Sequence, residues 1–310
     1  MGIMDIKEIR NIFITFTAAA AVLTGLALGS GTEVAEATPK VSKTVTVTPS
    51  GDKSGCSDWN AIAGYTEDGG YHIILKKGTY YVNGQLRLNS NTYLEAEGAK
   101  IVEVQNGSRL LTQPYDRDGY KAKKGYGSIH DVTINGGTWV GTKKFADSNV
   151  NVKNGQKTGA NVINFWHAKN VTIKNLTVYN AVNAHLIELC GVKNAKILNC
   201  HIGCYKDSSG KLKKGYSTGD VYRGAIQLDY CSRSGNRHSE PFDGTTCNGV
   251  RIEGNYIWYR TAVQIANDSS KTTKNVQVKN NTLRCRYTWT SVSMRKAAGF
   301  KASENKTLKY

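Results

Sequence analysis

Glu188 in LIELC (186–190) and Asp229 in AIQLD (225–229) occupy copies of one short pattern. The pattern recurs without an acid in VINFW (162–166) and AVQIA (262–266). Aligned, the copies read Ile163-Asn164-Phe165, Ile187-Glu188-Leu189, Ile226-Gln227-Leu228 and Val263-Gln264-Ile265. Period-two alternation turns the flanking apolar residues to one side and the middle residue to the other. Asn164, Glu188 and Gln227 then form one polar column. Trp166, Cys190, Asp229 and Ala266 form a second, two residues further on. On neighbouring strands, with about 4.8 Å between strands and a two-residue rise of about 6.6 Å, the Cα atoms of Glu188 and Asp229 stand about 8 Å apart. Their carboxyl groups then span roughly 5–9 Å, the range over which one carboxyl protonates a glycosidic oxygen while the other acts as nucleophile or base.

Other side chains suit the same chemistry. Trp166 on that side offers a ring on which a sugar stacks. His185 precedes Glu188 by three residues. Arg223 in YRGAIQLD and Asp243 in PFDGTTC border Asp229, the first as a clamp for an acidic sugar and the second as a further candidate acid. An outward polar column is also what any solvated strand carries. The same groove therefore reads as a glycan-binding or adhesion surface without chemistry.

The elements that position these residues are repeats. IHDVTINGGTW, AKNVTIKNLTV, VKNAKILNCHI, CNGVRIEGNYI and TKNVQVKNNTL share one frame, and Lys169-Asn170 and Lys193-Asn194 are 24 residues apart. A fixed period of this size marks a solenoid. Stacking the copies yields two apolar columns: Val132, Val171, Ala195, Val250, Val276, and Ile134, Ile173, Ile197, Ile252, Val278. Asn175, Asn199 and Asn280 share a turn column, where Asn tolerates a left-handed backbone and bonds the next rung. Each rung carries at least two short strands, so the fold class is all-β, a single-stranded parallel β-solenoid. SDWNAIAGY (57–65) predicts a short N-terminal capping helix with Ser57 or Asp58 as N-cap. Excursions at 112–128, 205–221 and 230–247, rich in Tyr, Lys, Arg, Asp and Gly, are placed to wall a groove.

Over roughly residues 48–293 the chain resembles the right-handed parallel β-helix proteins of the pectate lyase and polygalacturonase superfamily, on these repeats and on KKGTYYVNGQLRLNSNTYLEAEGAKI. The resemblance implies the fold specifically. It implies a polysaccharide-directed activity only in general terms, because this fold carries lyases, hydrolases, epimerases and adhesins. Polygalacturonases have an N-T-D-G-[IL]-D pattern. Here the matching stretch is Asn183-Ala184-His185-Leu186-Ile187-Glu188, so only the last acid has a counterpart, and their following Asp pair aligns with Arg223-Gly224. The reading is a glycoside hydrolase with paired carboxylates. The runner-up is a pectate-lyase-like β-eliminating enzyme. No cofactor or metal is expected, with calcium entering only on the lyase reading.

Composition limits the setting. Of 310 residues 39% are hydrophobic, enough for a sizeable core. Lys7 and Arg10, the apolar run Ile12–Leu28 and Ala35-Glu36-Ala37 read as a secretory signal, giving a secreted or cell-surface protein without stable membrane insertion. The remaining boundaries are a linker at 38–55, the β-helix at 56–293 and a basic tail at 294–310. The formal net charge of +17 draws polyanions. For an exported chain these are acidic polysaccharides or glycans rather than nucleic acid. Seven cysteines leave at least one unpaired. Cys231 and Cys247 bracket a loop they would staple, and Cys190 and Cys200 read as small core residues. Oligomeric state is left open.

Overall fold

A computed structural model describes residues 36–104, 109–114, 121–142, 161–181, 184–215, 223–233, 239–266, 270–289 and 297–310. The secretory segment therefore lies almost wholly outside the described residues.

The chain coils into a parallel β-helix with three faces. Strands of the first face include Lys43–Val47, Tyr71–Leu75, Tyr93–Glu95, His130–Asn135, Lys169–Lys174, Lys193–Leu198, Asn248–Glu253 and Thr273–Lys279, paired in parallel in that order. The second face runs through Gly78–Val82, Ala99–Glu103, Thr138–Val140, Thr177–Tyr179 and His201–Ile202 into the start of Tyr256–Ala266. The third face runs through Leu86–Arg87, Leu111–Thr112, Ile163–Trp166, Ile187–Cys190 and Gly224–Asp229 into the end of Tyr256–Ala266. That long strand turns the corner unbroken: Tyr256 and Ile257 pair with His201 and Ile202, whereas Val263 and Gln264 pair with Ile226 and Gln227.

The apolar columns are as the repeats require. Val132, Val171, Ala195, Val250 and Val276 pair in register, as do Ile134, Ile173, Ile197, Ile252 and Val278, and all are buried. A fully buried Val or Ile contributes about 1.5–3 kcal/mol by leaving water, and each rung repeats the gain on the same interior. The polar position just before the first column has its own logic. Asp131, Asn170, Asn194 and Asn275 hold φ of 54–55°, and Gly249 and Gly299 at the same level hold 72° and 70°. Only residues that accept this backbone fit there, which explains why Asp, Asn or Gly occupies it in each rung. Asn175, Asn199 and Asn280 form a second such column with φ of 54–57°. An interior ladder went unread in the sequence: Asn255 N–H donates to Asn281 Oδ1 (2.9 Å) and Asn281 N–H to Asn305 Oδ1 (3.0 Å).

Three boundaries differ from the sequence reading. Residues 38–55 are not only a linker, because Lys43–Val47 is the first strand, in register with Tyr71–Leu75. The helix starts at Cys56 with Gly55 as N-cap and no side-chain cap. Asp58 does not cap it: its buried carboxylate accepts the N–H groups of Ser50 and Tyr81, both at 2.8 Å, and so ties the incoming chain to the second face. Nor does Ser57 cap it; Ser57 donates to Asp52 instead, from N–H at 3.0 Å and Oγ at 2.8 Å. At the far end the basic tail adds another rung. Lys301–Ser303 pairs with Gln277–Lys279, and Lys306–Thr307 with Thr282–Leu283. Its apolar positions are occupied by Phe300 and Ala302, a pattern too degenerate to align.

A carboxylate pair under cover on the third face

The third face holds Asn164, Glu188, Gln227 and Gln264 in one cross-strand row, and Trp166, Cys190, Asp229 and Ala266 in the next. Glu188 and Asp229 are thus one rung apart and two residues out of register, on one face. Both point away from the coil's interior, yet they are only 4% and 3% exposed. The rungs are the floor, and long connections rise at both edges. Cys204–Lys206 and Leu212–Lys214 form an antiparallel hairpin at one edge, with the Tyr179 and Tyr205 rings stacked 4.5 Å apart at its base.

Glu188 has a dense polar shell. Asn164 Nδ2 donates to its Oε2 at 2.7 Å, and Asn161 Nδ2 donates to the same oxygen. Asn161 in turn accepts the His185 N–H (2.9 Å). Burial, reinforced by the negative charge of Asp229, pushes the Glu188 pKa up to about 8, against the opposing pull of Arg109 and Arg223. Burial also raises Asp229, but its bonds from the Tyr230 N–H and Gln227 hold it at about 6, with Arg223 assisting. Near neutrality the two carboxyls therefore differ, one protonated and one ionised. Gln227 Nε2 donates to Asp229 Oδ2 (3.3 Å), while its buried Oε1 has no hydrogen-bond partner among the described residues.

The other candidates divide. Arg223 and His185 lie together beside the pair. His185 Nδ1 donates to the Gly224 carbonyl (2.7 Å), and burial with the Arg223 charge lowers its pKa to about 3, so it stays neutral. Trp166 is fully buried in a small cluster with Cys190 and Cys231, so its ring is not offered to a sugar as expected. The segment after Asp229 folds over that column, a path that strand periodicity does not encode. Asp243 stands apart from the pair. Its oxygens accept the N–H groups of Gly125 (2.8 Å) and Thr245 (2.9 Å), and it sits 3.9 Å from His167 Nε2. Asn161 and Arg109 are site residues that the sequence reading missed. Asn161 lies just before the aligned pattern, and Arg109 precedes a strand of only two residues. A polar hollow of about 450 Å³ at another corner, lined by Glu97, Lys100, Asn135 and Asn175, has a single carboxyl.

No family model matches the chain. Its sequence is 27% identical over 199 residues to plasmin and fibronectin-binding protein A of Streptococcus pneumoniae (strain ATCC BAA-255 / R6), across 61% of this chain and 26% of that protein. The chain thus spans about a quarter of that relative's length. The structure of the Streptococcus pneumoniae surface protein and adhesin PfbA superposes with a TM-score of 0.59 and 21% identity, covering 77% of this chain and 61% of that one. Polygalacturonase from Erwinia carotovora ssp. carotovora superposes with a TM-score of 0.50 and 14% identity, covering 89% and 71%. The fold is therefore the parallel β-helix that these proteins share. No helix among the described residues is long and apolar enough to cross a membrane.

Proposed function

We propose that this chain is an exported, surface-acting β-helix glycosidase that hydrolyses an acidic glycan with Glu188 and Asp229. The observation that carries the reading is a pair of buried carboxyls one rung apart on one face, whose surroundings push one up to about 8 and the other to about 6. In this scheme Glu188 donates its proton to the leaving glycosidic oxygen. Asp229 attacks the anomeric carbon or activates water, depending on the separation reached with substrate bound. Arg109 and Arg223 neutralise a carboxylate or sulfate on the sugar. Gln227 Oε1 accepts a sugar hydroxyl. Admission of a glycan requires the cover at the edges of the third face to part. The scheme uses no metal ion.

Charge supports an anionic substrate. On the first face Lys169, Lys193 and Lys274 are exposed at one level, in register with Asn248 between the last two. With rungs about 4.8 Å apart, they form a ladder of positive charge along the coil. The N-terminal apolar run after Lys7 and Arg10 supports export.

A second reading has its own support: the similar pneumococcal proteins are an adhesin and a binding protein by name. On that reading the same face holds a glycan or host protein without cutting it. Incubation with pectic, host and cell-wall glycans separates the two. New reducing ends without an unsaturated product, lost in both Glu188→Gln and Asp229→Asn while binding persists, support hydrolysis. Unsaturated ends indicate the lyase. Binding with no product from any ligand leaves the adhesin.

A further inference from the structure

We infer that Cys190 and Cys231 are an oxidisable pair, whose sulfurs, 3.9 Å apart beside His167, close to a disulfide strapping the segment after Asp229 onto the neighbouring rung. All seven cysteines are free thiols in the structure. The pairing differs from the Cys231–Cys247 staple that loop bracketing suggests. Cys247 Sγ instead lies against the Leu189 carbonyl at 3.3 Å.

Three observations converge on the pair. The first is reach. The sulfurs are in direct contact at 3.9 Å, against a bonding distance of about 2.0 Å. Gly191 makes room for them, since a Cβ there would lie 2.5 Å from Cys231 Sγ.

The second is His167, which is fully buried. Its Nδ1 faces the Gly125 carbonyl at 2.7 Å, and its Nε2 faces the Pro241 and Ser239 carbonyls at 2.9 and 3.1 Å. A carbonyl oxygen only accepts, so both ring nitrogens donate and the ring is a cation. Burial opposes that charge, but Cys231, the Gly125 carbonyl and Asp243 outweigh it and push the pKa to about 9. This also disposes of a metal reading. The candidate ligand atoms of His167, Cys231 and Asp243 lie within 4.8 Å of one another, but a ring donating from both nitrogens has no lone pair to give.

The third is asymmetry between the thiols. Cys231 Sγ sits 3.6 Å from His167 Nδ1, and its pKa is lowered to about 7 against the penalty of burial. Burial raises Cys190 well above its ordinary value. Such a pair has an attacking thiolate and a resolving thiol. Both sulfurs are fully buried, so a low-molecular-weight disulfide reaches Cys231 on local opening of the fold; the Cys231 thiolate then attacks one sulfur and expels one thiolate. Cys190 then gives up its proton and attacks Cys231 Sγ in the mixed disulfide, releasing the second thiolate. Two protein thiols are oxidised and one small disulfide is reduced to two thiols. Because Cys190 pairs in register with Asp229, the new bond brackets that carboxylate.

The test uses the full chain in glutathione buffers of graded oxidised-to-reduced ratio, acid-quenched, alkylated under denaturing conditions and peptide-mapped. The expected result is joint loss of the Cys190 and Cys231 thiols and a linked peptide containing both, with Cys200 and Cys247 alkylated throughout. In Cys190→Ser, Cys231 is expected to accumulate as the glutathione mixed disulfide at least ~10-fold above wild type. Thiols that stay free in the most oxidising buffer, a Cys231–Cys247 link, or an unreactive Cys231 in a folded Cys190→Ser chain would each overturn the inference. None of these readouts depends on glycan turnover.

Discussion

Glu188 and Asp229 stand one rung apart and two residues out of register on the third face, both outside the coil and both covered. Their offset follows from the stacking of Ile187 on Ile226 and Leu189 on Leu228, which are buried in the interior. Their different acidities follow from their surroundings: burial and the Asp229 charge raise Glu188 against the Asn161 amide, whereas a backbone N–H and Gln227 hold Asp229 lower against its own burial.

A buried acid with a raised pKa makes stability depend on pH. Glu188 is held near 8 in the folded chain, against an ordinary 4.5. Between those values the native state binds more protons than the unfolded state, so this group's contribution to stability falls as pH rises from 4.5 through 8. Glu188→Gln removes that titration and keeps an acceptor for Asn161 and Asn164. Its thermal midpoint, relative to wild type, should rise by about 3 °C or more between pH 5 and pH 9. A relative fall over that range would contradict the burial of the acid.

The interior asparagine ladder should matter more than the turn ladder. Asn281 accepts from Asn255 and donates to the Ile252, Lys279 and Asn305 oxygens, all while buried. Asn281→Ala leaves those groups unmet and should cost about 2–4 kcal/mol in chemical denaturation. Asn175 is exposed and bonds Asn135 at 2.8 Å, so Asn175→Ala should cost about 1 kcal/mol, mainly left-handed strain. Equal effects would mean that the inner bonds are replaced by water.

The lysine ladder gives a salt test. Changing Lys169, Lys193 and Lys274 together to Glu should weaken binding of a sulfated or uronate-rich polysaccharide at least ~10-fold at low ionic strength, and flatten its salt dependence. Binding unaffected by the triple change would show that the lysine ladder takes no part in holding the polyanion.

The rungs were legible because apolar side chains two apart recur on a fixed period. Ile163 over Ile187 and Asn170 beside Asn194 are the registers that the 24-residue spacing gives. The two acids on one face follow from the same arithmetic. What periodicity does not carry is the path of the irregular segments. The burial of Trp166, the removal of Asp243 to the His167 corner and the approach of Arg109 depend on how loops lie over the third face. Very short strands, such as Leu111–Thr112, leave too few residues to align. Phe300 and Ala302 replace the usual Val or Ile, which hid the last rung.

The pH dependence of glycan turnover tests the central claim most directly. If Glu188 is the acid and Asp229 the ionised partner, kcat/KM on an acidic glycan follows a bell with limbs near about 6 and 8. Glu188→Gln and Asp229→Asn should each lower it by about 10²-fold or more. A profile lacking either limb, or no turnover of any acidic glycan that the protein binds, would contradict the account.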